Sequence, residues 1–439
     1  MEKKLNVFQI VIIIIFIVVI IVAVVVFSQS GKSGGGGATG GTVTVWGPFS
    51  STAVLNPIGA LASEMKDTSG VAIQYSEKNP ATYEADLVNA FASGTGPDIF
   101  VLTPDMIIKH QNKILEIPFT SFPLRSYQSA YIDGSQIFTT DTGVLGFPFA
   151  IDPLILYYNK DMLNNAGHII PPKTWEELTQ MVPSLVTFDQ SHQIAKSAVA
   201  FGQFGNIDNA SEIFQTLLLQ LGDPIVSLDK GLYEAKFGFQ TPISSTPAQT
   251  AIGFYTQFSN PVAPLYSWNA LLPSSRDMFI QGRLAFYIGF ASELQEIQRQ
   301  NINLNFDITM IPQREGTNRN VTYAHMYAFA LSKQTKNAQS AFSVASSLGN
   351  GSQTSVLAQN IGLAPVRRDL LSTKNPNDVY SDILHKSALI SYSWFNPNTK
   401  VMYQYFKDTI DPVIRGASTA GRSASDTRLK MQSFIDSLR

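Results

Sequence analysis

Five histidines stand at His110, His168, His192, His325 and His385. No two of them fall at the H-x-x-x-H or H-E-x-x-H spacing that sets a pair of imidazoles on one helical face for a metal ion. Cysteine is absent. That removes thiol nucleophiles, thiolate-bound zinc, disulfides and attachment through a lipidated N-terminal cysteine. Gly94-Thr95-Gly96 lacks the rest of a dinucleotide fingerprint and precedes a strand instead of following one. Gly31-Lys32-Ser33 looks like the end of a phosphate-binding loop, but the glycine required five positions earlier is Val26. No cofactor and no metal are expected. The acidic residues Asp105 and Asp152 leave a glycosidase pair open, although sequence supplies no separation between them. An isolated Asp at a strand end is more often a cap or turn former.

Aromatic residues carry more information. The four tryptophans are Trp46, Trp175, Trp268 and Trp394. Core packing is the default for a tryptophan, and Trp175, just behind a helix cap, fits it. Trp46 ends a strand. Trp268 and Trp394 lie in irregular stretches, 265–269 and 392–398, where aromatics are better placed to meet a ligand. A neutral polyhydroxyl ligand suits such rings. Its C–H faces stack while Asp and Asn side chains bond its hydroxyls.

These residues need a scaffold. The chain has 439 residues, which suggests two or three domains. Lys and Arg number 31 and Asp and Glu 33, for a net charge of −2, so the basic excess expected of a nucleic-acid binder is missing. Charged residues make up 15%, against about 25% in ordinary globular chains, and 44% hydrophobic residues provide for a large core.

Thr42 to Trp46 alternates and stops at Gly47-Pro48, which reads as a strand and a turn. Leu55, Ile58, Leu61 and Met65 have helical spacing over about 52–66. Val71 to Tyr75 reads as a second strand, Thr82 to Phe91 as a second helix and Asp98 to Leu102 as a third strand. The β-α-β-α-β order favours a parallel sheet with right-handed crossovers. Ligands bind beyond the carboxyl ends of such strands, which selects 46–51, 77–79 and 103–105. Thr103-Pro104 reads as a helix N-cap with Pro at the first helical position.

Further along, 143–149 and 154–158 read as two strand pieces separated by a change of direction at Ala150-Ile151-Asp152-Pro153. Thr174 with Glu177 is a capping-box signal. Residues 211–221 form an apolar helix closed by Gly222, and 276–281 the end of another. Residues 282–289, 306–311 and 326–331 read as strands, and the last hundred residues as mostly helical. No repeat of 20–50 residues is found, which disfavours solenoids and propellers.

Ile10 to Phe27 is eighteen consecutive apolar residues. A helix of that run spans roughly 27 Å, close to the bilayer core. Lys3 and Lys4 precede it, so the N-terminus is expected in the cytoplasm and the rest outside. A cleaved signal peptide is the alternative, but its apolar region is shorter and ends in small residues. Residues 28–41 read as a Gly/Ser-rich tether reaching about 20 Å.

Leu145 to Asp161 (LGFPFAIDPLILYYNKD), followed by Ala166-Gly167 and Pro171 to Leu178 (PPKTWEEL), closely resembles the hallmark of extracellular solute-binding proteins of ABC importers, in the branch containing maltose-binding protein and many sugar binders. Gly96 to Phe100, Phe279 to Gly289, Asp307 to Pro312, Tyr327 to Lys333 and Ala364 to Arg368 agree in order and spacing. The resemblance covers about 42–439. It implies an α/β, two-lobed periplasmic-binding-protein-like fold with a central ligand cleft and a hinge; the one N-terminal transmembrane helix expected from the apolar run precedes it and departs from the lipid anchoring common in relatives. The expected organisation is 1–9 cytoplasmic, 10–27 transmembrane, 28–41 linker, 42–150 plus about 309–340 as lobe I, and 151–308 plus about 341–439 as lobe II. The family's contacts to sugar hydroxyls align with Asp105 and Asp152, a stacking aromatic with Phe290, and a late aromatic loosely with Trp394. With Trp46, Phe49, Asn209, Trp268 and Tyr323 these complete the candidate ligand-binding set. The implied partners are a small solute such as a sugar, importer membrane subunits, and a bilayer through residues 10–27; nucleic acid is not among them. An anchored glycoside hydrolase and a solute-sensing receptor remain as alternatives.

Overall fold

The structure, a computed structural model, describes residues 41–238, 246–317, 319–351, 353–372 and 379–438. The expected cytoplasmic N-terminus, the membrane span and all but the last residue of the linker lie outside the described residues. Among the described residues, no helix is long and apolar enough to cross a membrane.

The chain divides into two compact units. Of the described residues, the first takes those within 41–103, 110–150 and 327–370, and the second those within 104–109, 151–326 and 371–438.

In the first unit the alternating residues of Thr42–Gly47 form the middle strand of a parallel ladder, flanked by Ala72–Glu77 and Ile99–Leu102. Val43 and Val45 are fully buried, as period-2 patterning requires. Helix Ser51–Ser69 crosses between the first two strands and Tyr83–Ser93 between the second and third. Gly70 and Gly94 close these helices with φ of 70° and 71°, a left-handed conformation that glycine adopts without a Cβ clash. Ala328 to Leu331 adds an antiparallel neighbour to Ile99–Leu102.

The second unit is built around the far part of strand Phe147–Asn159. Leu154 to Tyr158 pairs antiparallel with Leu284–Phe290, and Ile155 to Asn159 pairs antiparallel with Phe306–Met310. Leu284–Phe290 in turn pairs parallel with Ile194–Val199. The expected change of direction at Ala150 to Pro153 is not found, because the backbone stays extended through Pro153 as one strand of 13 residues. Proline's fixed φ suits an extended chain. Thr174 does cap helix Trp175–Leu185. Its hydroxyl accepts from Glu177 N–H at 3.1 Å, while the Glu177 carboxylate accepts from Lys173 N–H at 2.6 Å. The apolar helix Ala210–Gln220 packs into the core of this unit.

Candidate functional site

In the second unit, strand Leu284–Phe290 delivers Phe290 at its carboxyl end, and the strand beginning at Thr322 carries Tyr323 and His325 two residues apart, hence on one face. The Phe290 and His325 rings stack at 4.3 Å with 24° between planes, and Tyr323 meets His325 edge-on at 5.6 Å. Phe290 and Tyr323 keep 7% and 6% of their surface, whereas His325 is half-buried. Burial pushes the imidazole down to about 4, against the pull of the Asp105 carboxylate, so it is neutral at pH 7. Asp105 sits in the first turn of Pro104–His110, half-buried, and accepts from Thr399 Oγ1 at 3.0 Å. Arg319, four residues before Tyr323, lies 4.1 Å over the Tyr392 ring.

What holds Phe290 in place is Glu293. Its carboxylate accepts from Phe290 N–H at 2.8 Å, Asn209 Nδ2 at 2.8 Å and the Tyr287 hydroxyl at 2.6 Å, and pairs with Arg276 at 2.7 Å. Asn209 takes φ of 59° at the start of helix Ala210–Gln220, a conformation that Asn tolerates better than most residues. Its amide is therefore engaged in positioning. Asp152 is 5% exposed, and its two oxygens accept from Ser292 N–H at 3.0 Å and Ser292 Oγ at 2.6 Å. Burial pushes its carboxyl up to about 7; the Ser292 bonds oppose that shift and Glu293 adds to it. Asp152 thus shapes the turn that follows Phe290.

The remaining candidates fall elsewhere. Trp268 and Trp394 are 0% and 2% exposed, and their indoles donate to Asn206 Oδ1 at 3.1 Å and Gln215 Oε1 at 2.9 Å. The expectation of loop-borne rings open to ligand does not match this burial: an irregular backbone can still fold over the core when its indole N–H finds an amide. In the first unit, Phe49 is half-buried and packs edge-on against Tyr327 at 5.1 Å and Phe149 at 6.0 Å. Trp46 is half-buried at the carboxyl end of its strand, with Lys78 Nζ 3.6 Å from its ring centroid.

Sequence reasoning passed over His325 and Lys78. The alternation Tyr323-Ala324-His325 is the signal that could have found the first; nothing in sequence marks the second. Among the described residues, no group of three His, Asp or Glu side chains is placed to hold a metal ion. The Phe290–Tyr323–His325 face, with the Asp105 carboxylate near it, combines flat apolar rings with donors and acceptors for hydroxyl groups.

Comparison with known proteins places this chain. Two Brucella proteins, from B. abortus and B. suis, named only as binding proteins, are 20% identical over 291 residues, 64% of this chain. The chain spans 66% of the length of these curated relatives. A cyclo/maltodextrin-binding protein solved with maltotetraose superposes with a TM-score of 0.71 at 18% identity, covering 92% of this chain and 98% of the other. The sugar-binding protein MalE from Xanthomonas citri gives 0.70 at 17% identity, over 90% and 98%. The cyclic alpha-maltosyl-1,6-maltose binding protein from Arthrobacter globiformis gives 0.71 at 16%, over 91% and 100%. At these identities the likeness is one of fold. Residues 60–382 match the family model described as bacterial extracellular solute-binding protein, which is most of the chain. The chain belongs to the bacterial extracellular solute-binding protein family.

Proposed function

We propose that this protein captures a sugar or oligosaccharide outside the cell and hands it unaltered to an ABC importer, held at the membrane by residues 10–27. The observation that carries the reading is the Phe290–Tyr323–His325 aromatic face with Asp105 at hand, in a chain of this family. The rings offer a stacking surface for sugar C–H groups, and the carboxylate and neutral imidazole offer acceptors and donors for hydroxyls. Solved proteins of the same fold include one complexed with maltotetraose and one bound with maltotriose, which makes malto-oligosaccharides the first probes.

Binding without turnover is the core of the proposal. A ligand that binds only the folded state stabilises it, by about 2.7 kcal/mol at a hundredfold excess over Kd. The test is a thermal-denaturation screen with malto-oligosaccharides together with an assay for released reducing ends. A raised melting temperature with intact saccharide supports the proposal. Release of reducing ends would make the protein a hydrolase and overturn it. Asp105→Asn and Phe290→Ala are expected to weaken binding, and unchanged affinity in both removes that face from the site.

A further inference from the structure

Trp46 differs from the other tryptophans. Trp175, Trp268 and Trp394 are 5%, 0% and 2% exposed, whereas Trp46 is half-buried. It is the penultimate residue of Thr42–Gly47, in register with Ser76 and Phe100 of the neighbouring parallel strands. That is the edge at which open parallel sheets receive ligands.

Lys78, just past the end of Ala72–Glu77, holds its ammonium 3.6 Å from the Trp46 ring centroid. Among the described residues no carboxylate is ion-paired with Lys78; the adjacent Glu77 accepts instead from Ser51 N–H at 2.7 Å. Among the described residues the Lys78 ammonium is therefore held on an aromatic face and not in an ion pair.

Magnitudes decide what it can do. A cation on an exposed ring is worth a factor of about two to five in an equilibrium. A hydrogen bond between an ammonium and a carboxylate is worth about tenfold or more. A neutral sugar stacking on the covered face must displace Lys78. A carboxylate can meet the ammonium from outside while the lysine stays on the ring.

Resting on the sugar reading above, we infer that Lys78 on Trp46 forms an anion-selecting site of the first unit, one that takes an acidic saccharide carrying a uronate carboxylate. The test is calorimetric titration of the full chain with neutral gluco-, manno- and galacto-oligosaccharides and their uronate counterparts of equal length, at low and high salt. In the native protein the uronate of the bound pair is tighter by about tenfold or more, and salt erodes that advantage. Lys78→Arg keeps the preference. Lys78→Met, which retains the apolar stem, abolishes it without lowering the melting temperature. If neutral saccharides bind as well as uronates, and Lys78→Met only strengthens them, Lys78 is a cover on the ring; the inference falls and the sugar reading stands. If no saccharide of either kind binds, the sugar reading fails and takes the inference with it.

Discussion

Asp152 makes the stability of this protein depend on pH in a direction opposite to that of most carboxylates. Its folded-state pKa is raised to about 7 by burial, against an ordinary 3.8. Below about pH 4 the carboxyl is protonated in both folded and unfolded chains and imposes no penalty. Between 4 and 7 the folded state binds the proton more tightly, so stability falls as pH rises. Above 7 the group is charged in both states and the loss is complete. At 1.36 kcal/mol per pKa unit, a shift from 3.8 to about 7 corresponds to up to about 4 kcal/mol. Asp152→Asn isolates this effect. The amide can accept from Ser292 N–H and donate to Ser292 Oγ, so both contacts survive without charge. The variant is expected to match the native protein near pH 4 and to exceed it progressively up to about pH 8. Denaturant unfolding at each pH, followed by tryptophan fluorescence, measures the difference. Three of the four tryptophans belong to the second unit, which holds Asp152, so the signal reports the right part of the chain. A difference that is constant from acid to alkaline pH refutes the reasoning.

Three further outcomes are expected. His325 has its folded pKa lowered to about 4 by burial, so its stability contribution is whole above about 6.5 and is lost as pH falls toward 4; its imidazole C–H resonance should therefore hold the neutral position down to about pH 5. Trp268→Ala removes a fully buried ring and its bond to Asn206, and should cost about 3–5 kcal/mol of unfolding free energy by denaturant titration. Thr174→Ala deletes the cap of helix Trp175–Leu185 and should cost about 1 kcal/mol, read as a lowered melting temperature.

Local signals were legible where they stayed local. The alternation of Thr42 to Trp46 and the helical spacing of Leu55, Ile58, Leu61 and Met65 announced the first strand and the first helix, because such a period is complete within a short stretch of sequence. The Thr174–Glu177 cap was legible for the same reason. Pro153 misled, because a proline between two apolar runs reads as a break. The ladder partners that hold the strand, Leu284–Phe290 and Phe306–Met310 among them, lie more than a hundred residues later. The positioning of Phe290 by Glu293, Asn209 and Arg276 was likewise out of reach, since it joins residues 84 positions apart.

The tryptophans show what could have been read and was not. Helix Ala210–Gln220 buries most of its residues, and two of its polar ones are glutamines, Gln215 and Gln220, 1% and 8% exposed. A buried amide requires a partner, and each of these has an indole: Gln215 accepts from Trp394 at 2.9 Å, Gln220 from Trp175 at 2.6 Å. Asn206 does the same for Trp268 at 3.1 Å. All three buried tryptophans are pinned by a side-chain amide, and for Trp394 a glutamine on the helix Ala210–Gln220 was the sequence-level sign that a loop tryptophan folds inward. Trp46 has a lysine over its ring, not a buried amide at its N–H in the core. A tryptophan matched to an amide is a packing device, since the bond removes the cost of burying its one polar atom. A half-buried tryptophan matched to a cation at a sheet edge leaves a charge there, and that is a property that a solute can use.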